Sequence, residues 1–202
     1  MTHHEDHSPS VTEHDALASH ASDEYDAVVY DLDGTLVRLD VDWAGTRRDV
    51  VEALRDRGIA VAGESLWELL DRAHREGFAP VVEAVIADHE RRGAQAAELL
   101  PTAGELPRVV PVGVCSLNAE AACRLALERH ELDAHVDAVV GRDTVGTYKP
   151  DPEPLLAAVR ALSAAPERTL FVGDSERDAH TAERAGVAFQ YVDEAEPTEG
   201  SG

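Results

Sequence analysis

The chain has 202 residues, 44% of them apolar, with 18 basic against 40 acidic side chains and a formal net charge of −22. That length supports one buried core with a small insert rather than a multidomain assembly. Charge of that sign disfavours nucleic acid as a partner. The longest stretch free of charged or amide side chains, Val109 to Cys115, falls far short of the roughly 20 residues a membrane-spanning helix needs, so no membrane partner is expected either.

Residues 1–24 hold His3, His4, His7, His14 and His20, six acids and no Lys or Arg. The composition predicts a disordered tail rather than a secretory leader, and with it a cytoplasmic location. His3, His4 and His7 offer metal-capturing groups, but a polar leader is the plainer reading. The run 194–202 reads as a second tail. The acidic excess looks like adaptation to high salt, and 17 of the 18 basic residues are Arg, so the single lysine, Lys149, invites a functional question. Cys115 and Cys123 sit in apolar surroundings and are expected to be reduced, buried thiols.

In chain order, Ala27 to Tyr30 reads as a first strand running into Asp31. From about Asp42 to about Glu105 the pattern predicts a helical insert with no strand. Its first helix runs from Trp43 to Arg57, its second carries Leu66, Leu69, Leu70 and Ala73 on one face, and its third places Val82, Val85, His89, Ala96 and Leu99 in register. Further strands are predicted at Val109 to Cys115, Val136 to Val140, Thr169 to Val172 and Val187 to Val192. They alternate with helices at Asn118 to His130, Pro154 to Leu162 and Ser175 to Ala185, the last stopping at Gly186. The fold class expected is α/β, a doubly wound, mostly parallel sheet over 25–41 and 106–193, with 42–105 as a small inserted helical cap acting as a lid.

Acids are common enough here that their spacing says little, so their position on the fold must discriminate. Open parallel sheets bind ligands beyond the carboxyl ends of their strands. Asp31 and Asp33 end the first strand, and Asp174 follows Leu170 to Gly173 with Asp178 one helical turn on. Several carboxylates meeting at one sheet edge repel one another unless a divalent cation sits among them, and an oxygen-only set favours Mg²⁺. Phosphate chemistry needs further donors. Ser116 ends the second predicted strand of the core and is followed by Leu117, Asn118 and a helix start, whose free N–H groups accept anions, while Lys149 supplies a compact positive charge.

These residues together resemble a known family. Asp31-Leu32-Asp33-Gly34-Thr35-Leu36 resembles the first motif of the haloacid dehalogenase-like hydrolases, Ser116 the second, Lys149-Pro150 the third and Gly173-Asp174-Ser175-Glu176-Arg177-Asp178 the fourth, all in family order. Ala182 and Ala185-Gly186-Val187 also fit the phosphoglycolate-phosphatase-like subgroup with a helical cap. The resemblance implies that Asp31 is the nucleophile, forming an aspartyl-phosphate, and Asp33 the general acid and then base. It implies Mg²⁺ held by Asp31, the Asp33 carbonyl and Asp174 with Asp178 in support, and a phosphate contacted by Ser116, Leu117, Asn118 and Lys149. The activity so implied is a Mg²⁺-dependent phosphatase acting on a small phosphorylated metabolite, phosphoglycolate-like or a sugar phosphate, as a monomer or homodimer.

Leu117 stands where many relatives carry a small polar residue, which weakens the case for the Asn118 side chain. Arg38, just past the nucleophile loop, is a candidate substrate contact; Arg47 is expected to reach solvent, and His89 and Trp67 to pack inside the insert. Two other readings compete. A phosphomutase of the same fold would need a bisphosphate activator, and a phospho-accepting receiver of a signalling system would keep its acyl phosphate instead of discharging it.

Overall fold

The computed structural model of the protein describes residues 24–192, so both predicted tails, residue 24 excepted, lie outside the described residues. The strands are β1 (Ala27–Tyr30), β2 (Val37–Arg38), β3 (Glu98–Leu99), β4 (Val112–Cys115), β5 (Ala138–Val140), β6 (Thr169–Gly173) and β7 (Ala188–Tyr191). The helices are α1 (Trp43–Arg55), α2 (Leu66–Glu76), α3 (Ala79–Gln95), α4 (Glu120–Arg129), α5 (Glu153–Ala161) and α6 (Glu176–Ala185). Five strands form one sheet in the order β5-β4-β1-β6-β7, every neighbouring pair parallel. The architecture is the doubly wound α/β sheet expected from the alternation of strands and helices.

The period of two along β1 explains why both faces are covered. Val28 and Tyr30 enter one apolar layer with Val112, Val114, Leu170 and Val172. Ala27 and Val29 enter the other with Leu155, Val159 and Phe171. A third cluster, built from Val50, Leu54, Leu69, Leu70, Val82 and Ile86, holds α1, α2 and α3 together as the helical insert. Among the described residues no helix is long and apolar enough to cross a membrane.

Two local expectations are corrected. Leu99 does not continue the third insert helix, which stops at Gln95; it lies in β3 and pairs with Val37, while Glu98 pairs with Arg38. A two-residue ribbon has no readable period, and its pairing partner is 62 positions away in the chain, so the 42–105 interval holds one strand after all. The second core strand also starts at Val112 rather than Val109, whose side chain is exposed. The helix ends follow local chemistry. Ser65 and Glu68 form a capping box on α2, Ser175 and Asp178 form another on α6, and Gly186 closes α6 in the left-handed region.

Candidate active site

Three neighbouring strands deliver the site. β1 runs into Asp31, β4 into Ser116 and β6 into Asp174, all at the carboxyl edge of the sheet. They open onto a cavity of about 250 Å³ lined by Asp31, Asp33, Ser116, Lys149, Asp174 and Asp178 among others. Leu117 and Asn118 line it too, so nearly all of the residues singled out in the sequence converge. Arg38 is the exception. It is exposed on the β2–β3 ribbon and is not among the cavity's lining residues, because alternation along that strand turns it away while Val37 goes inside.

Lys149 is fully enclosed, its Nζ donating to Asp31 Oδ1 at 2.8 Å and Asp178 Oδ1 at 2.5 Å. A buried ammonium between two carboxylates is held charged, and its pKa is raised although burial alone would lower it. Asp178 therefore does two things at once. One oxygen takes the lysine, and the other accepts from Ser175 Oγ at 2.6 Å, closing the start of α6.

Asp31, Asp174 and Asp178 each bring a carboxylate oxygen to within 4.8 Å of the others, a cluster that can hold a metal ion. Asp174 lies against Gly34: a β-carbon there would stand 2.1 Å from Asp174 Oδ2, and the glycine also has φ +90°, so the first-motif turn admits only glycine. Burial pushes the carboxyl of Asp31 up to about 7 despite the opposing pull of Lys149. Asp33 and Asp174 are raised as well, burial again the first cause. Hard oxygen donors that resist ionising until a cation joins them fit a divalent ion.

The helix start after Ser116 differs from the free-donor reading of the sequence. The N–H of Asn118 donates to Ser116 Oγ at 3.2 Å, that of Ala119 to Glu90 Oε2 at 2.9 Å and that of Glu120 to Asp143 Oδ1 at 2.7 Å. Among the described residues the N–H of Leu117 has no acceptor, leaving it and Lys149 as the anion donors, with Ser116 Oγ joining them when its hydroxyl turns away from Asn118 Oδ1. Asn118 is organised rather than idle. Its Oδ1 accepts from Ser116 Oγ at 3.0 Å and its Nδ2 donates to Glu90 Oε1 at 3.3 Å.

Sequence reasoning missed Glu90 and Arg142. Both are fully buried, with Arg142 Nη1 2.7 Å from Glu90 Oε1, Nη2 3.2 Å from Glu90 Oε2 and Nε 2.9 Å from Glu83 Oε2. The same Nη1 donates to the carbonyl of Leu117 at 2.5 Å. The available signal was Glu90 lying four residues beyond Ile86 and eight beyond Val82, on the buried stripe of α3. Also missed were Trp43 and Arg177, which line the cavity; Trp67, expected inside the insert, lines it as well. Arg47 is tied to the Glu64 carbonyl and His89 to Asp49, neither entering the cavity lining. Burial pushes the Cys115 thiol up to about 12, so it stays protonated.

The family model of the haloacid dehalogenase-like hydrolases matches residues 28–192. A phosphoglycolate phosphatase of Cereibacter sphaeroides is 33% identical over 186 residues, covering 80% of this chain and 82% of that protein. Among solved structures, a haloacid dehalogenase superfamily hydrolase of Geobacter sulfurreducens superposes with a TM-score of 0.58 at 27% identity, covering 82% of this chain and 88% of that one. A haloacid dehalogenase-like hydrolase of Bacteroides fragilis superposes with a TM-score of 0.62 at 25% identity, covering 87% and 91%. With the four motifs gathered at one sheet edge and the match spanning the whole described core, the chain belongs to the haloacid dehalogenase-like hydrolases.

Proposed function

We propose that the protein is a phosphatase that hydrolyses a small phosphorylated metabolite through an aspartyl-phosphate on Asp31. The observation that carries this reading is the enclosed triad Asp31–Lys149–Asp178 beside Ser116, a carboxylate nucleophile with a fixed cation and a hydroxyl donor at its side. A phosphate monoester enters with its phosphorus toward Asp31, its oxygens taken by Lys149 Nζ, Ser116 Oγ and the Leu117 N–H. Asp31 Oδ attacks phosphorus as the ester oxygen leaves, and Asp33, whose carboxyl is raised, gives that oxygen its proton. Asp33 then takes a proton from water attacking the acyl phosphate, releasing phosphate and restoring Asp31.

Asp31, Asp174 and Asp178 would hold Mg²⁺, and the family resemblance adds the Asp33 carbonyl. A divalent ion held there would neutralise charge on the phosphoryl oxygens and favour the ionised form of Asp31. The similarity to a phosphoglycolate phosphatase favours a phosphoglycolate-like substrate. Release of inorganic phosphate from an aryl phosphate tests the reading. Turnover is expected with Mg²⁺, absent with EDTA and absent in Asp31→Asn; turnover that survives Asp31→Asn contradicts it.

A further inference from the structure

The cavity is lined by two cations, Lys149 and Arg177, and only the first is committed to carboxylates. Arg177 is half-buried, and among the described residues it forms no ion pair. That is unexpected in a chain whose acids outnumber its bases 40 to 18. Its guanidinium instead lies over the ring of Trp67, 5.8 Å from the centroid, and Trp67 rests on Trp43 at 5.9 Å. The arginine comes from the core and both indoles from the insert, so the three meet across the cavity.

Stacking on an indole orients a guanidinium while leaving its in-plane N–H donors unused. A planar fork of that kind suits an anion that accepts two hydrogen bonds side by side. The other charges of the cavity point to which anion. Asp31, Asp33, Asp174 and Asp178 would repel a negative leaving group, and Lys149 is already shared between two of them. A cation set apart from those carboxylates on an aromatic wall reverses that preference locally.

We propose that Arg177, backed by Trp67, determines specificity by binding a second anionic group, carboxylate or phosphate, on the leaving group of the substrate. The inference rests on the phosphatase reading above. It differs from a role in holding the transferred phosphoryl group, which every substrate shares.

The test compares kcat/KM in Mg²⁺ for phosphoglycolate, ethanediol bisphosphate and the uncharged analogue hydroxyethyl phosphate, with the wild type, Arg177→Met and Arg177→Lys. Methionine keeps an apolar stem against Trp67 and removes the charge. The wild type is expected to prefer the anionic esters, Arg177→Met to cut that ratio about tenfold or more, and Arg177→Lys to recover part of it. A larger fall for phosphoglycolate identifies a carboxylate site, and a larger fall for the bisphosphate a second phosphate site. A wild-type ratio at or below unity, or a ratio unchanged in Arg177→Met, overturns the proposal while leaving the phosphatase reading intact. If Arg177→Met does not fold, the wild-type ratio and Arg177→Lys decide. No turnover of any of the three esters by the wild type overturns the proposal, and failure to turn over an aryl phosphate as well overturns both.

Discussion

Lys149 and Asp31 form a buried pair whose members need each other. With Lys149 gone, Asp31 and Asp178 would be buried like charges without a cation, and the incoming phosphate would lose a fixed positive partner. Lys149→Met is expected to lower kcat by about a hundredfold or more, read as phosphate release at saturating substrate. The pH dependence of stability follows from the same burial. An acid whose folded-state pKa is raised holds its proton more tightly folded than unfolded, so its stabilising effect is full below the unfolded value and is lost as pH rises through the folded one. For Asp31 that window runs from 3.8 up to about 7, and Asp33 and Asp174 act in the same direction. In EDTA, Tm is therefore expected to fall between about pH 4 and pH 7, with a shallower fall in Asp31→Asn, and Mg²⁺ to restore most stability at the upper end. An EDTA profile that rises across that window contradicts the assignment.

Among the elements, α3 does most to join insert and core. Its early residues Val82 and Ile86 pack in the insert, while Ala94 belongs to the core cluster that also holds Leu36. Between them Glu90 and Arg142 pin the carbonyl of Leu117, the side chain of Asn118 and the N–H of Ala119, three consecutive points on the loop after Ser116. The insert also reaches the lysine loop, where Tyr148 donates to Asp71 of α2. Glu90→Ala would leave Arg142 with Glu83 as its one carboxylate partner and is expected to cost about 3–5 kcal/mol in urea unfolding. The double replacement Glu90→Leu with Arg142→Met should recover much of that loss, whereas additive losses would show that the pair is not coupled. This element also marks where the sequence stops being readable. Asp31, Asp174 and Gly186 could be placed because each follows directly from a local pattern, a strand end or a helix stop. Glu90, Arg142 and the Val37–Leu99 ribbon depend on partners tens of residues away, and a carboxylate in an acid-rich chain looks like any other until its partner is seen.

At the scale of the whole molecule, the parallel sheet decides the chemistry by sending β1, β4 and β6 to one edge, so residues 31, 116 and 174 meet although the chain separates them widely. The net charge of −22 acts on the molecule as a whole. Self-repulsion of that size is screened by salt, so Tm is expected to climb as KCl is raised to about 1 M, where the screening length falls to about 3 Å; a flat response would mean the acids are already balanced locally. Attack by a single oxygen of Asp31 leaves an acyl phosphate that can be trapped chemically during turnover. Quenching the Mg²⁺-loaded enzyme with borohydride in the presence of substrate, followed by peptide mass spectrometry, should show reduction of the acyl group at Asp31 and nowhere else. Reduction at another carboxylate, or none while phosphate is being released, would contradict the account.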